Sequence, residues 1–452
     1  MSVLNQPKKN QESLIAVSIN DKLNTKHKKG NEYFKDDKQT YWIIDNNFQI
    51  PDFAYVLRRF FHKLSQPINV DINSFLKLVK SENVIGVINA FFSVDALATQ
   101  KYSLKTKNVP KLIQHNFILD AKFYKDAIKV AQVLAEAEVF ASELINMPGN
   151  ILNADKFESI CKNKFIGLKN VQLDVLHKND LTQKKMGLIL AVGQSSSKYN
   201  EPRIITAKYA NGAKNKKTVA LIGKGLMFDT GGLNLKPGEY MKSMHTDMAG
   251  AAISLATIYA LAKLQIPANV TSIAAIASNE IGPSAYRVND VIKSYSGATV
   301  EIMDTDAEGR LVLADAISYA KKDLKVDTVV TIATLTGSIM VALGHLYIGI
   351  WASNKHQWLG LVKAANQAPE LIWQMPLHTE YMANAIKNTG IADIANIANG
   401  RWGAANVAAE FLHYFAEDLN FIHADICGGV EFENQTIPVM IRTLFYFVKD
   451  FQ

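Results

Sequence analysis

The stretch TVALIGKGLMFDTGGLNLKPGEYMKSMHTDMAG, residues 218–250, decides how the chain reads. It begins as an unbroken apolar run, Thr218–Gly223, as expected of a strand buried on both faces. The run passes directly into Gly223-Lys224-Gly225 and then Phe228-Asp229-Thr230-Gly231-Gly232. Ligand sites in open α/β sheets lie at the carboxyl ends of strands. Lys224 and Asp229 therefore stand where a site is expected, and the glycines let the backbone turn sharply against a ligand. Lys236 and Asp247 follow. Asp247 lies just before an Ala-Gly-Ala-Ala helix start, so it reads either as a helix-capping anion or as part of the same site.

Working outward, strands and helices alternate from about Ile151. Strands are predicted at Val270–Ala277, Thr299–Met303, Thr328–Ala333 and Phe421–Ile426, and helices at Met248–Leu264, Leu311–Lys322 and Ala405–Phe415. This predicts an α/β C-terminal domain over 151–452, with a mostly parallel or mixed central sheet flanked by helices. Tyr124–Ile145 predicts a long helix whose mostly small apolar face runs through Ala127, Ile128, Ala131, Leu134, Ala135, Glu138 and Ala141, stopped by Pro148 and Gly149. Residues 121–150 are read as a linker. Residues 1–120 predict a smaller α/β domain, with a strand at Tyr41–Asp45, a helix at Asp52–Leu64 and a strand or helix at Asn83–Phe92. Its first 40 residues are polar and irregular and carry the basic cluster Lys26, Lys28 and Lys29.

Of 452 residues, 48% are apolar and 20% charged, which excludes a disordered chain. The two cysteines, Cys161 and Cys427, exclude a disulfide framework and a cysteine-based zinc site. Residues 1–250 carry 36 Lys/Arg against 23 Asp/Glu, while residues 251–452 carry 13 against 19. The basic half raises nucleic-acid binding as an alternative. The lysines are scattered, and no helix-turn-helix or zinc finger is visible. No apolar run reaches the ~18 residues of a membrane span, so no membrane association is predicted and a cytoplasmic protein is expected.

A second segment, EIMDTDAEGRLV at 301–312, carries more chemistry. Asp304, Asp306 and Glu308 alternate after an apolar strand, and Arg310 opens a helix. Clustered carboxylates repel one another unless a cation neutralises them, and divalent metals with oxygen ligands do so naturally. Two metals sharing carboxylates would suit a hydrolytic centre, whether of a peptidase, a phosphatase or a nuclease. There is no His-Glu-x-x-His, and His245 lacks a spaced histidine partner.

Together the two segments resemble the leucyl aminopeptidase family of cytosolic di-metal exopeptidases. The residues that carry the resemblance are Gly223-Lys224-Gly225, Phe228-Asp229-Thr230-Gly231-Gly232, Lys236, Asp247-Met248 and, most specifically, Thr305-Asp306-Ala307-Glu308-Gly309-Arg310-Leu311. Further similarity lies at Leu144–Asn150, Thr334-Leu335-Thr336-Gly337, Ala408–Leu412 and Asp425–Gly428, so it spans roughly residues 125–450. Residues 1–120 resemble the family's N-terminal domain only weakly and look shortened. The resemblance implies a metal-dependent aminopeptidase acting on the N-terminal residues of peptides, leucine-like and others. It implies Lys224, Asp229, Asp247, Asp306 and Glu308 as ligands of two divalent metals (zinc, manganese or magnesium), with Asp229 and Glu308 bridging. Lys236 would polarise the scissile carbonyl, and Arg310 would hold a bicarbonate ion. A homohexamer of two stacked trimers is also implied. Two departures stand out: Asp304 replaces the family's usual Asn, and Val288-Asn289 replaces a usual Pro-Gly before Asp290.

Overall fold

The computed structural model describes all residues except 1, 5, 10, 19–32, 37–38, 46–47, 100–101, 108, 110–112, 214–216, 387–388, 433–434 and 451–452. The cluster Lys26, Lys28 and Lys29 lies outside the described residues. The chain forms two compact units. One comprises Met1–Val139, Val362–Leu371 and Arg442–Tyr446, and the other Phe140–Leu361, Ile372–Ile441 and Phe447–Gln452. The division falls inside the predicted long helix, observed as Lys125–Ile145.

The first unit contains a six-stranded sheet in the order Ser2–Leu4, Asn116–Ile118, Asn69–Asp71, Ser13–Ser18, Gln39–Ile44 and Tyr33–Asp36. All neighbours are parallel except the last pair. Helices Ile50–His62 and Val84–Thr99 belong to this unit; the second resolves the ambiguity at Asn83–Phe92 in favour of helix. The core is aromatic: Phe53 and Phe75 pack edge or tilted against Trp42 and Phe91, with ring centroids 4.9–6.5 Å apart.

The second unit is built on an eight-stranded mixed sheet. Its order is Ile372–Gln374, Ile348–Ala352, Asn420–Asp425, Thr328–Ala333, Thr218–Asp229, Asn269–Asn279, Arg203–Ala210 and Val171–Leu176. The four central strands run parallel, and antiparallel pairings flank them on either side. Their unbroken apolar runs match this position, because helices cover both faces. Helix Ala249–Lys263 is buried from Ala249 to Ala262, which explains why it is built from small residues. The strand predicted at Thr299–Met303 is shorter, Thr299–Glu301. It lies outside the central sheet, in a three-stranded sheet with Val291–Lys293 and Ile394–Ala395. A three-residue strand, Thr-Val-Glu, carries no mark of which sheet it will join. Asp304, Asp306 and Glu308 therefore sit on a loop between this small sheet and helix Gly309–Lys322.

Candidate metal centre

Two loops and two strand ends build the centre. Asp229 terminates its strand in register with Asn279 of the parallel neighbour. Its Oδ1 accepts from Asn279 Nδ2 and from the Gly231 amide, both at 2.9 Å. Gly231 and Gly232 hold φ of +85° and +67°, a conformation that turns the chain back over the strand end and that side chains disfavour. Thr305 stitches this turn to the acidic loop: its hydroxyl donates to Gly231 O at 2.6 Å and accepts from the Asn234 amide at 2.8 Å. Its own carbonyl accepts from Tyr286 Oη at 2.7 Å and Asn279 Nδ2 at 3.0 Å.

Within this frame the predicted residues converge. Lys224 Nζ lies 2.8 Å from Asp247 Oδ2 and 2.9 Å from Glu308 Oε1, and donates to Thr334 O at 3.1 Å. Lys236 Nζ lies 2.8 Å from Asp229 Oδ2 and also pairs with Asp306. Carboxylate oxygens of Asp229, Asp306 and Glu308 come within 4.8 Å of one another. Asp247 is not a helix cap: the helix begins at Ala249 without a side-chain cap, and Asp247 Oδ1 instead accepts from Thr334 Oγ1 at 2.6 Å. Gly309 packs tightly against Lys224: a Cβ there would stand 2.6 Å from Lys224 Cε.

The electrostatics follow from burial and repulsion. Burial, then the neighbouring Asp229, raises the Glu308 carboxyl to about 8. Burial raises Asp247 to about 6 against the pull of Lys224, and burial with Asp229 raises Asp306. Burial alone would lower Lys224, but Asp247, Glu308 and Asp229 outweigh it and hold its pKa well above the usual lysine value. Lys236 is raised likewise, burial being overcome by Asp229 and Glu308. A strongly lowered pKa, needed for a neutral lysine ligand, is thus not set by burial alone. Among the described residues Glu308 Oε2 is buried without a hydrogen-bond partner. An orphaned carboxylate oxygen beside two further carboxylates suits a divalent cation. The donor set therefore fits metal binding.

Arg310 stands apart from this group. Its Nη1 donates to Asn396 O at 2.7 Å, and its buried Nε has no partner among the described residues. Burial lowers it to about 10, against the pull of Glu308 and Asp304, so the guanidinium remains charged at neutral pH. It lines a neighbouring cavity with Asp304, Asp306 and Trp402. His245 lies outside the carboxylate group. Asn279, Thr305, Thr334 and Asn396 position the centre and are absent from the sequence-based set. Thr305 and Thr334 stand inside strings that carry the family resemblance, whereas nothing in the sequence singles out Asn279 or Asn396.

Comparison with known proteins decides the family. The model of the cytosol aminopeptidase family, catalytic domain, matches residues 139–444. A probable cytosol aminopeptidase of Mycoplasma genitalium is 36% identical over 403 residues, 87% of this chain and 88% of that protein. The chain belongs to the cytosol aminopeptidase family. A cytosol aminopeptidase of Rickettsia prowazekii is also 36% identical, over 78% of this chain and 72% of that protein. The fold of a leucyl aminopeptidase from Leishmania major, solved in complex with actinonin, superposes with a TM-score of 0.86 at 22% identity, covering 99% of this chain and 94% of that one. The bottromycin maturation enzyme BotP, solved in complex with Mn, superposes at 0.83 and 23% identity, covering 97% and 99%. The chain is thus a metal-dependent aminopeptidase, a hydrolase of N-terminal residues, with its catalytic domain toward the C-terminus. No helix among the described residues is long and apolar enough to cross a membrane.

Proposed function

We propose that the chain removes N-terminal residues, leucine-like and others, from peptides at a two-metal centre that Lys224, Asp229, Asp247, Asp306 and Glu308 would hold. The observation that carries this reading is the buried, unpartnered Glu308 Oε2 among carboxylates packed within 4.8 Å. Zinc, manganese and magnesium all suit the oxygen-rich donors. Two such cations, when bound, supply a hydroxide near neutral pH and polarise a carbonyl. Lys224 would hold a metal through its neutral amine. Lys236, kept protonated by Asp229 and Asp306, donates toward the oxygen that becomes negative as the amide is attacked. Arg310, with an unpartnered Nε, would hold a planar bicarbonate. We assign residues 1–120 to an N-terminal domain, 121–150 to a linker and 151–452 to the catalytic domain. A cytoplasmic homohexamer completes the proposal, and light scattering and fractionation read those two features.

The test is hydrolysis of leucine anilide and nitrophenyl phosphate after chelation and re-addition of each metal. Anilide cleavage restored by metal, with phosphate ester untouched and about two metals bound per chain, is the expected result. Full activity with at most one metal bound would sink the two-metal reading.

Asp304 gives a finer expectation. Its Oδ1 accepts from the Asp306 amide at 2.8 Å, a bond that an asparagine oxygen also makes. Asp304→Asn therefore keeps the loop and removes one negative charge beside the centre. Metal preference, or relative rates across N-terminal residues, should change by about fivefold without loss of thermal stability. An unchanged profile of both would remove Asp304 from the site.

A further inference from the structure

The centre opens into a cavity of ≈ 270 Å³, just below the ~300–1,000 Å³ of ordinary ligand clefts and suited to a single amino-acid side chain. Among the polar side chains of its lining lie apolar ones, including half-buried Met244 and Met340 and buried Val430. Beside Val430 the wall turns acidic. Strand Glu431–Phe432 pairs antiparallel with Gln435–Thr436, and Glu431 stands directly opposite Thr436. Residues opposite one another share a face of the hairpin, and both line this cavity. The Glu431 side chain is 60% exposed. Its ion-pair partner among the described residues is His345 Nδ1 at 3.3 Å, and no lysine or arginine pairs with it. Its charge also reaches the cavity floor, where it adds to the effect of burial and of Asp425 in raising the Cys427 thiol.

An apolar stripe ending in an exposed carboxylate that no lysine or arginine of the described residues pairs with matches a side chain with a hydrocarbon stem and a cationic head. We propose that Glu431 selects for basic N-terminal residues, its carboxylate taking the head of a lysine or arginine side chain whose stem lies along Met244, Met340 and Val430. This rests on the aminopeptidase reading of the adjoining centre. Leucine and methionine are still accepted, because they use the apolar stripe alone.

The test compares kcat/KM for arginine, citrulline and leucine anilides on the manganese-loaded full chain. Citrulline has nearly the shape of arginine without its charge. Arginine should exceed citrulline by about fivefold at low salt, as for a solvent-exposed ion pair. The ratio should fall toward one in Glu431→Gln, and in the unsubstituted chain at about 0.5 M salt. The leucine rate should stay the same in Glu431→Gln. A ratio of one at low salt, or a ratio that Glu431→Gln leaves unchanged while leucine is cleaved, overturns the proposal and leaves the aminopeptidase reading standing. Failure to cleave even leucine anilide overturns both.

Discussion

Lys236→Ala is expected to lower kcat by about 10²–10³ while leaving the metal content intact, the loss typical of removing one oxyanion donor and equal to about 2.7–4 kcal/mol. Lys236 lies on the loop after the Gly231-Gly232 turn, its amide bound to Thr230 O at 2.9 Å. Its ammonium touches Asp229 and Asp306 and is held protonated by them. It therefore presents a fixed positive charge at the rim of the carboxylate cluster. That charge acts on charge developing during attack, so added metal cannot replace it. Lys224 differs: it is buried between Asp247 and Glu308 and packs against Gly309, where a Cβ would come within 2.6 Å of Lys224 Cε. Lys224→Ala should weaken metal binding, and excess metal should restore part of the activity. Metal titration followed by calorimetry and anilide assays separates the two. Rescue of Lys236→Ala by metal, or native metal affinity in Lys224→Ala, would reverse the assignment of roles.

The sequence discloses these two lysines differently from the groups that hold them. The central strands are legible because burial on both faces writes itself as continuous apolar runs. Asp304, Asp306 and Glu308 stand out because acids packed between an apolar strand and an apolar helix call for a cation, whereas the role expected of Arg310 comes from the family resemblance. Asp247 is not decided by sequence alone, since a carboxylate two residues before a helix serves equally as a cap. Only the bond to Thr334, 87 positions away, resolves it. Asn279 and Asn396 act through hydrogen bonds between segments distant in the chain, and no local pattern marks such residues. The misplacement of Thr299–Glu301 has a similar origin, because its partners Val291–Lys293 and Ile394–Ala395 are specified by tertiary pairing rather than by period. Glu431 is equally silent in sequence, an ordinary acid in a short hairpin until the cavity beside it is seen.

Glu138 shows the opposite case, a residue whose oddity in the sequence has a physical answer. It interrupts the small apolar face of the long helix, where a solvated charge has no place. In the structure it is 3% exposed and grips Arg442, itself 1% exposed, through two bonds of 2.8 Å. Ser93 Oγ donates to Glu138 Oε1 at 2.8 Å, and Arg442 Nη1 donates to Asn89 Oδ1 at 2.7 Å. Both members of the pair are thus satisfied by groups of the first unit. Such a pair adds little over well-packed apolar residues, but removing one partner strands a buried charge at about 3–5 kcal/mol. Arg442→Met is therefore expected to lower the melting temperature by roughly 10 °C. Glu138→Leu should do nearly the same. The double variant should recover most of the loss, since neither charge is then stranded, although Asn89 loses a donor. Thermal unfolding of the three variants checks this as a double-mutant cycle. If the double variant loses the sum of the two single losses, the pair is not the coupled unit that its geometry describes.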